Sequence, residues 1–210
     1  GPASEVTEHG RLVASSTSKC SLWVLEERLT RADHLDERWQ DAGGFKPTEI
    51  IFLSRHASAS GKPCLTVHPI GNPRVGGGGD PAATSAQPAR IGSVAEEFGG
   101  RVGLLPPPNP RMGSLLRALK KRARAVNLLL DSKSMRSNDE DDGQQEVEKM
   151  KKKFDVCPEA THHGPWVEST PCCFVEIGST DQEWTRQDAA QVCGSCSPTH
   201  ERLNLKPRLQ

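Results

Sequence analysis

The chain has 210 residues, which is enough for one domain with a hydrophobic core, but only 34% of them are hydrophobic and 4% are aromatic. With 19 glycines and 16 prolines, a sizeable part of the chain is expected to form loops or to be disordered. Basic and acidic residues balance at 27 each, so the net charge identifies no partner, and no apolar run approaches the ~20 residues of a membrane-spanning helix.

The first part of the chain predicts a helix followed by two buried strands. Residues 1–21 are mostly small and polar and are expected to form a disordered lead. The segment SLWVLEERL is either a strand or a short helix. ADHLDERWQDAG then predicts a helix in which Leu35 and Trp39 share a face and which ends at Gly43 and Gly44. EIIFLSRH and CLTVHPI are short apolar runs, typical of buried strands.

A basic helix is predicted after a glycine-rich segment. Residues 73–90 have low complexity and are expected to form a loose loop. Asn109 and Pro110 are typical of a helix start, and leucines at helical spacing follow them. Four basic residues form the opposite side, the basic face: Arg117, Lys120, Lys121 and Arg124. Such a face is either a solvated surface or a contact surface for nucleic-acid phosphates, and the sequence leaves both interpretations open.

The second part of the chain repeats the strand–strand–helix order. Residues 131–153 contain an acidic run and are expected to be a loose loop. FDVCPEATHHGP and PCCFVEIGS read as strands, and the capping box of Thr180 and Glu183 predicts a helix that ends near Val192. This order predicts an α/β fold with a mixed or mostly parallel sheet flanked by helices. Residues 193–210 show no periodicity and are expected to be a divergent tail.

The seven cysteines do not show the spacing of a secreted disulfide framework, so reduced thiols are expected. Cys193 and Cys196 form a CxxC motif. Without a clear second pair, chance is the preferred interpretation of this motif over a zinc or redox site.

Four of the seven histidines lie at the ends of predicted strands: His56, His68 and the pair His162–His163. In open α/β sheets such ends border the ligand crevice. Imidazole offers a general base, an oxyanion partner or a metal ligand, and Glu176 on the last strand adds a carboxylate. A single histidine at such a place is more often structural, but four together predict a functional site.

The combination of motifs resembles the archaeal and plant type of D-aminoacyl-tRNA deacylase, the family linked to ethanol tolerance in plants. The matching segments are ADHLDERW, FLSRHASASGKPCLTVHPIGN, RMGSLLRALKK, EATHHGP, FVEIGSTDQEW and RQDAAQV. They cover residues 22–192, which we interpret as one deacylase-like domain. The resemblance implies an α/β fold related to that of peptidyl-tRNA hydrolases.

The resemblance also implies a cytoplasmic hydrolase that cleaves the ester bond between a D-amino acid and the 3′ ribose of its partner tRNA, with zinc as cofactor. It extends this role to the clearance of aldehyde-modified aminoacyl-tRNA. On this basis we assign three catalytic residues: His56, His162 and Thr66. We assign three zinc ligands, with His162 as a further candidate: His68, His163 and Glu176. The basic face is expected to contact tRNA phosphates.

Two departures from the family pattern lead us to expect a truncated gene product with an incomplete sheet. No N-terminal apolar strand matches that of the family, and the glycine-rich GGGHY-type segment does not follow RQDAAQV. The alternative function is therefore a catalytically inactive RNA-binding remnant that keeps the basic face. A competing view of the chain is a complete short form, in which the CxxC tail clamps the end of the last helix.

Overall fold

The computed structural model of the protein describes residues 6–7, 10–15, 20–73, 91–95, 98–136 and 153–194. The chain forms two compact units. The first unit comprises Gly1–Phe52, His68–Pro110 and Ala160–Phe174, and the second comprises Leu53–Val67, Arg111–Glu159 and Val175–Gln210.

A small antiparallel sheet lies near the start of the chain. Its strands are β1 (Val6–Thr7), β2 (Gly10–Ser15) and β3 (Ser21–Val24), in that order. The structure therefore differs from the predicted disordered lead over 1–21 at the described residues 6–7 and 10–15. The physical reason is that pairing with β3 supplies backbone hydrogen bonds that the small, polar local sequence does not reveal. SLWVLEERL begins as this strand and continues into a 3₁₀ turn at Leu29–Arg31.

The predicted first helix is present as α1 (Leu35–Asp41). Leu35 is buried, and the Trp39 ring lies 5.4 Å from that of Trp23, between ring centroids. A side chain at Gly44 would place its Cβ only 2.1 Å from the Trp39 ring, so the lack of a side chain at Gly44 lets this ring pack against the segment after the helix.

The central sheet contains β4 (Ile50–Ala57), β5 (Cys64–Pro69), β6 (Asp155–Pro158) and β7 (Cys172–Ser179), in the order β4-β7-β5-β6. β5 and β6 are parallel. β4 and β7 are also parallel, because backbone hydrogen bonds link Ile50 to Pro171 at one end and Ser58 to Ser179 at the other. These pairings confirm the α/β fold with a mixed or mostly parallel sheet.

Nearly every residue of β5 and β7 is buried, which explains their continuous apolar sequences. In the first unit the core is built around stacked rings of Phe52 and Phe174, whose centroids are 5.0 Å apart. Their buried neighbours in this core are Leu35, Ile70, Val167 and Cys172.

The basic helix is α2 (Met112–Arg136), which buries Leu115, Leu119 and Ala123. It begins just after the predicted start and continues through 131–136, so the predicted loose loop over 131–153 is wrong for these six positions. No glycine or proline lies between Ser114 and Arg136, so nothing in the local sequence ends the helix earlier. The rest of the two predicted loose loops, at residues 74–90 and 137–152, lies outside the described residues.

None of the helices in the described ranges combines the length and the apolar character that crossing a bilayer requires.

The last predicted helix is divided in two. Its capping box is confirmed, because the Glu183 carboxylate accepts hydrogen bonds from the backbone N–H (3.0 Å) and the hydroxyl (2.7 Å) of Thr180. The chain then forms α3 (Asp181–Trp184) and α4 (Gln187–Gly194). Arg186, between them, binds Asp188 through two hydrogen bonds. Cys193 is buried at the end of α4, whereas Cys196 lies outside the described residues, so the CxxC prediction stays a prediction.

Candidate functional site

Three of the predicted site histidines meet in the first unit and form the histidine cluster: His68, His162 and His163. His68 lies near the end of β5, and the other two precede β7. The ring centroid of His68 is 4.7 Å from that of His162 and 4.9 Å from that of His163, and the latter two are 4.5 Å apart. One nitrogen of each ring lies within 4.8 Å of the others, which is within the span of a single bound ion.

Each imidazole of the histidine cluster directs its Nδ1 at a backbone carbonyl oxygen. The carbonyl is that of the following residue for His68 (2.9 Å) and for His163 (2.8 Å), and that of Ala160 for His162 (2.7 Å). A carbonyl oxygen only accepts hydrogen bonds, so Nδ1 carries the proton in all three rings. In the neutral ring Nε2 then carries the lone pair, which is the state in which a histidine coordinates a metal.

Burial differs across the histidine cluster. His68 is fully buried, and its ring stacks on that of Phe174 with centroids 5.2 Å apart. His163 is half-buried and meets the same ring edge-on, while His162 is exposed. Burial beside an aromatic ring favours the neutral imidazole over the imidazolium. The histidine cluster therefore combines a buried imidazole, that of His68, with an exposed one, that of His162. This arrangement suits a site that admits a substrate.

The donor set of the histidine cluster fits zinc. Catalytic zinc typically takes three protein ligands and keeps a fourth position for water or substrate, and neutral imidazole is among its preferred ligands. The predicted ligands His68 and His163 belong to the first unit and Glu176 to the second, so the assignment of Glu176 as a zinc ligand stays a prediction. The structure groups His162 with the first two, and it groups Glu176 with other residues of the second unit.

In the second unit, His56 on β4 lies between two carboxylates and forms with them the carboxylate–histidine cluster: His56, Glu159 and Glu176. Its Nε2 is 3.3 Å from Oε1 of Glu159, and its Nδ1 is 3.4 Å from Oε2 of Glu176. The ring nitrogens of His56 therefore face one carboxylate each. Glu176 also accepts a hydrogen bond from the hydroxyl of Ser54 at 2.5 Å.

The space that the His56 ring occupies depends on a glycine in β7. A Cβ at Gly178 would lie 2.7 Å from Cδ2 of His56, which is closer than such atoms approach. The assignment of His56 as a catalytic residue stays a prediction. Sequence reasoning missed Glu159, and the signal that marks it is its place in the motif EATHHGP.

Thr66, predicted to be catalytic, lies on β5 opposite Cys157 and is fully buried. Its hydroxyl has no hydrogen-bond partner among the described residues. Alternation along the strand places it on the same face as Cys64 and His68. The thiols on these strands are poor nucleophiles, because burial raises the pKa of both Cys64 and Cys157 above its ordinary value.

All four residues of the basic face are exposed on α2, as predicted. Two of them, Lys120 and Arg124, line a groove of about 360 Å³ between α2 and β6. The groove adds Lys153, a cation that the sequence analysis did not assign, which pairs with Asp131 at 2.8 Å. Exposure alone does not distinguish a solvated face from a surface that binds RNA.

Comparison with known proteins agrees with the resemblance of the motifs. A sequence model of the D-aminoacyl-tRNA deacylase family matches residues 44–199. The D-aminoacyl-tRNA deacylase of Arabidopsis thaliana is 36% identical over 181 residues, which cover 86% of this chain and 45% of that protein. The D-aminoacyl-tRNA deacylase of Archaeoglobus fulgidus is 33% identical over 168 residues, which cover 80% of this chain and 44% of that protein.

A solved crystal structure agrees as well. It is that of a "conserved protein of unknown function", which superimposes with a TM-score of 0.61 and 29% sequence identity over 92% of this chain and 51% of that chain. The chain thus spans about half the length of the proteins it matches. Since the family model covers most of the chain, the chain belongs to the D-aminoacyl-tRNA deacylase family.

Proposed function

We propose that the protein hydrolyses the ester bond of D-aminoacyl-tRNA and releases the free D-amino acid and the tRNA. The observation that carries the proposal is the convergence of three imidazoles, each with Nδ1 held by a carbonyl oxygen and each with Nε2 able to act as a base or ligand. Ester hydrolysis requires an activated water and stabilisation of the tetrahedral oxyanion, and imidazoles supply both kinds of contact.

Zinc is the cofactor we propose for the histidine cluster. Held by His68, His162 and His163, it would polarise the ester carbonyl and lower the pKa of a bound water, which is the chemistry that this reaction needs. The protein's own contribution is orientation. The backbone carbonyls fix the tautomer of each ring, and Phe174 fixes the planes of two of them.

We propose that the basic face holds the tRNA through its phosphates. No acidic residue lies between Arg111 and Arg124, and all four side chains of the face extend into solvent. Such contacts position a nucleic acid without reading its sequence. The proposed substrate favours a cytoplasmic location. An aldehyde adduct changes the amino group of the substrate and leaves the ester unchanged, so the same hydrolysis would release it.

The test is incubation of the protein with D-aminoacyl-tRNA and, in parallel, with L-aminoacyl-tRNA of the same amino acid. Release from the D-form alone supports the proposal, and the variant His162→Gln should lose that release. Binding of both forms without release supports the alternative of a catalytically inactive RNA-binding protein.

A further inference from the structure

The segment that carries two histidines of the histidine cluster has no regular secondary structure. This histidine loop, residues 162–170, lies in the first unit and falls between β6 and β7 in the sequence. A loop without its own backbone ladder is held by contacts from other segments. The geometry of the histidine cluster therefore depends on what those contacts are.

The middle of the histidine loop, at Trp166, is held by the residues that precede α1. Oδ1 of Asp33 accepts a hydrogen bond from the backbone N–H of Trp166 at 2.7 Å. The backbone N–H of His34 donates to the carbonyl oxygen of Trp166 at 2.8 Å. The backbone N–H and the backbone carbonyl oxygen of Trp166 are thus both hydrogen-bonded, by the consecutive residues Asp33 and His34.

The backbone of His34 is in the left-handed conformation at this contact. Its φ is 56°, which makes it the one non-glycine residue with a positive φ in the described part of the chain. The left-handed conformation costs a non-glycine residue about 1–2 kcal/mol. Such conformations persist where the surroundings determine them, and here the surroundings are the two bonds to Trp166.

The end of the loop, at Thr170, is hydrogen-bonded to the first turn of α1. Oδ2 of Asp36 accepts a hydrogen bond from the hydroxyl of Thr170 at 2.6 Å, and both residues are buried. Oδ1 of Asp36 accepts from the backbone N–H of Glu37 at 3.1 Å. Two of the three acidic residues of the segment ADHLDERW, Asp33 and Asp36, therefore bind the two ends of the stretch 166–170.

Backbone contacts hold the histidine residues themselves. The N–H of Gly164 donates to the carbonyl oxygen of Phe98, and the N–H of Gly71 donates to that of His163, each at 2.8 Å. A Cβ at Gly164 would lie 2.2 Å from the nitrogen of Gly100, so the loop is packed too closely for any side chain there. Among these restraints on the loop, the side-chain bonds of Asp33 and Asp36 are the ones that substitution can remove singly.

We propose that Asp33 and Asp36 are positioning residues, which hold the histidine loop so that the Nδ1 of His162 and of His163 stays on its carbonyl oxygen. The proposal rests on the proposed function, in which the Nε2 atoms of the cluster act on the substrate. Partners that orient such histidines typically change metal affinity or activity by about 10- to 100-fold when they are removed.

The test is to compare Asp33→Ala and Asp33→Asn with a control, Asp41→Asn. The control changes an exposed acid at the end of α1. Asparagine keeps an oxygen that accepts from the Trp166 N–H, whereas alanine does not. Long-range ¹H–¹⁵N NMR on the metal-free protein reports which nitrogen of each imidazole carries the proton. The His162 and His163 signals are assigned from His162→Gln and His163→Gln.

The wild type, Asp33→Asn and the control should show His162 and His163 with the proton on Nδ1. Folded Asp33→Ala should show averaged nitrogen signals and zinc binding about 10- to 100-fold weaker. An unchanged Nδ1 signature in folded Asp33→Ala overturns the proposal. Should this variant not fold, Asp33→Glu moves the carboxylate by one methylene, and an unchanged signature there overturns it equally.

The hydrolysis assay keeps the two proposals apart. A wild type that shows the Nδ1 signature and its loss in Asp33→Ala, but releases no D-amino acid, contradicts the proposed function and leaves the positioning role supported. A wild type that hydrolyses D-aminoacyl-tRNA while Asp33→Ala keeps both the signature and the rate contradicts the positioning role alone.

Discussion

The imidazole of His56 lies beside the carboxylate of Glu176 in the second unit, with Nδ1 3.4 Å from Oε2. The Glu176 side chain is 3% exposed and that of His56 is 15% exposed, so water reaches neither polar group freely. Removing one member of such a pair leaves the polar atoms of the other without that partner in a poorly hydrated place. The two side chains are therefore expected to stabilise the fold only when both are present.

The first prediction follows from this pair. Glu176→Ala should lower the free energy of unfolding by about 1–3 kcal/mol, because it removes the acceptor of the Ser54 hydroxyl and the carboxylate beside Nδ1 of His56. Chemical denaturation measures the change, and Glu168→Ala, at an exposed position, is the matched control. Equal stability of the two variants would contradict this contribution of Glu176.

The second prediction concerns the metal. The purified protein should contain zinc, and His163→Gln should lower the zinc content because it removes one of three converging ligands. The double variant Cys193→Ser/Cys196→Ser should keep the zinc content of the wild type. Elemental analysis of all three proteins decides whether the histidine cluster or the CxxC motif holds the zinc. Zinc that disappears only from the cysteine variant would assign the metal to the CxxC motif instead.

The third prediction concerns the basic face. Alanine at Arg117, Lys120, Lys121 and Arg124 should weaken tRNA binding and reduce the salt dependence of the binding constant. Each lost phosphate contact lowers the slope of log K against log salt by about 0.7–0.9. Titrations at several salt concentrations measure that slope, with Arg31→Ala as an exposed control in the first unit. An unchanged affinity and slope would identify the face as a solvated surface.

The fourth prediction concerns Asn127 on α2, whose side chain joins the helix to the residue before β6. Its amide donates to the carbonyl oxygen of Phe154 and accepts from the N–H of the same residue, both at 3.0 Å. Asn127→Ala should lower the free energy of unfolding by about 1–3 kcal/mol, since it leaves two backbone groups without these bonds. Ala125→Ser, at an exposed position on the same helix, serves as the control in the same denaturation experiment.

The fifth prediction concerns the pH dependence of stability. Burial, with a smaller effect of the neighbouring Cys173, raises the pKa of the Cys172 thiol from 9.0 to about 12. Above pH 9 the unfolded chain therefore loses this proton while the folded protein keeps it, so the contribution of Cys172 to stability declines as the pH rises from 9 to 12. The slope should approach about 1.4 kcal/mol per pH unit.

Comparison of the wild type with Cys172→Ala measures this contribution, because the variant lacks the Cys172 thiol. The difference between their unfolding free energies should shrink as the pH rises above 9. A difference that stays constant up to pH 11 would contradict the raised pKa.

The sequence by itself determined the elements that apolar runs and helix-capping residues specify. The apolar runs EIIFLSRH, CLTVHPI and PCCFVEIGS are β4, β5 and β7, and the capping box at Thr180 starts a helix. These features are visible because burial on both faces of a strand and the satisfaction of a helix end are local requirements. Six motifs in one order were also enough to indicate the family.

Only the tertiary structure decided which site residues meet. The strand order β4-β7-β5-β6 places the strand of Glu176 beside that of His56, and Oε2 of Glu176 lies 3.4 Å from Nδ1 of His56. The hydrogen bonds of Asp33 and Asp36 to the histidine loop are likewise visible only in the tertiary structure. Periodicity records whether a residue is buried, but not which distant strand or loop buries it, because that choice is made by packing between segments far apart in the chain.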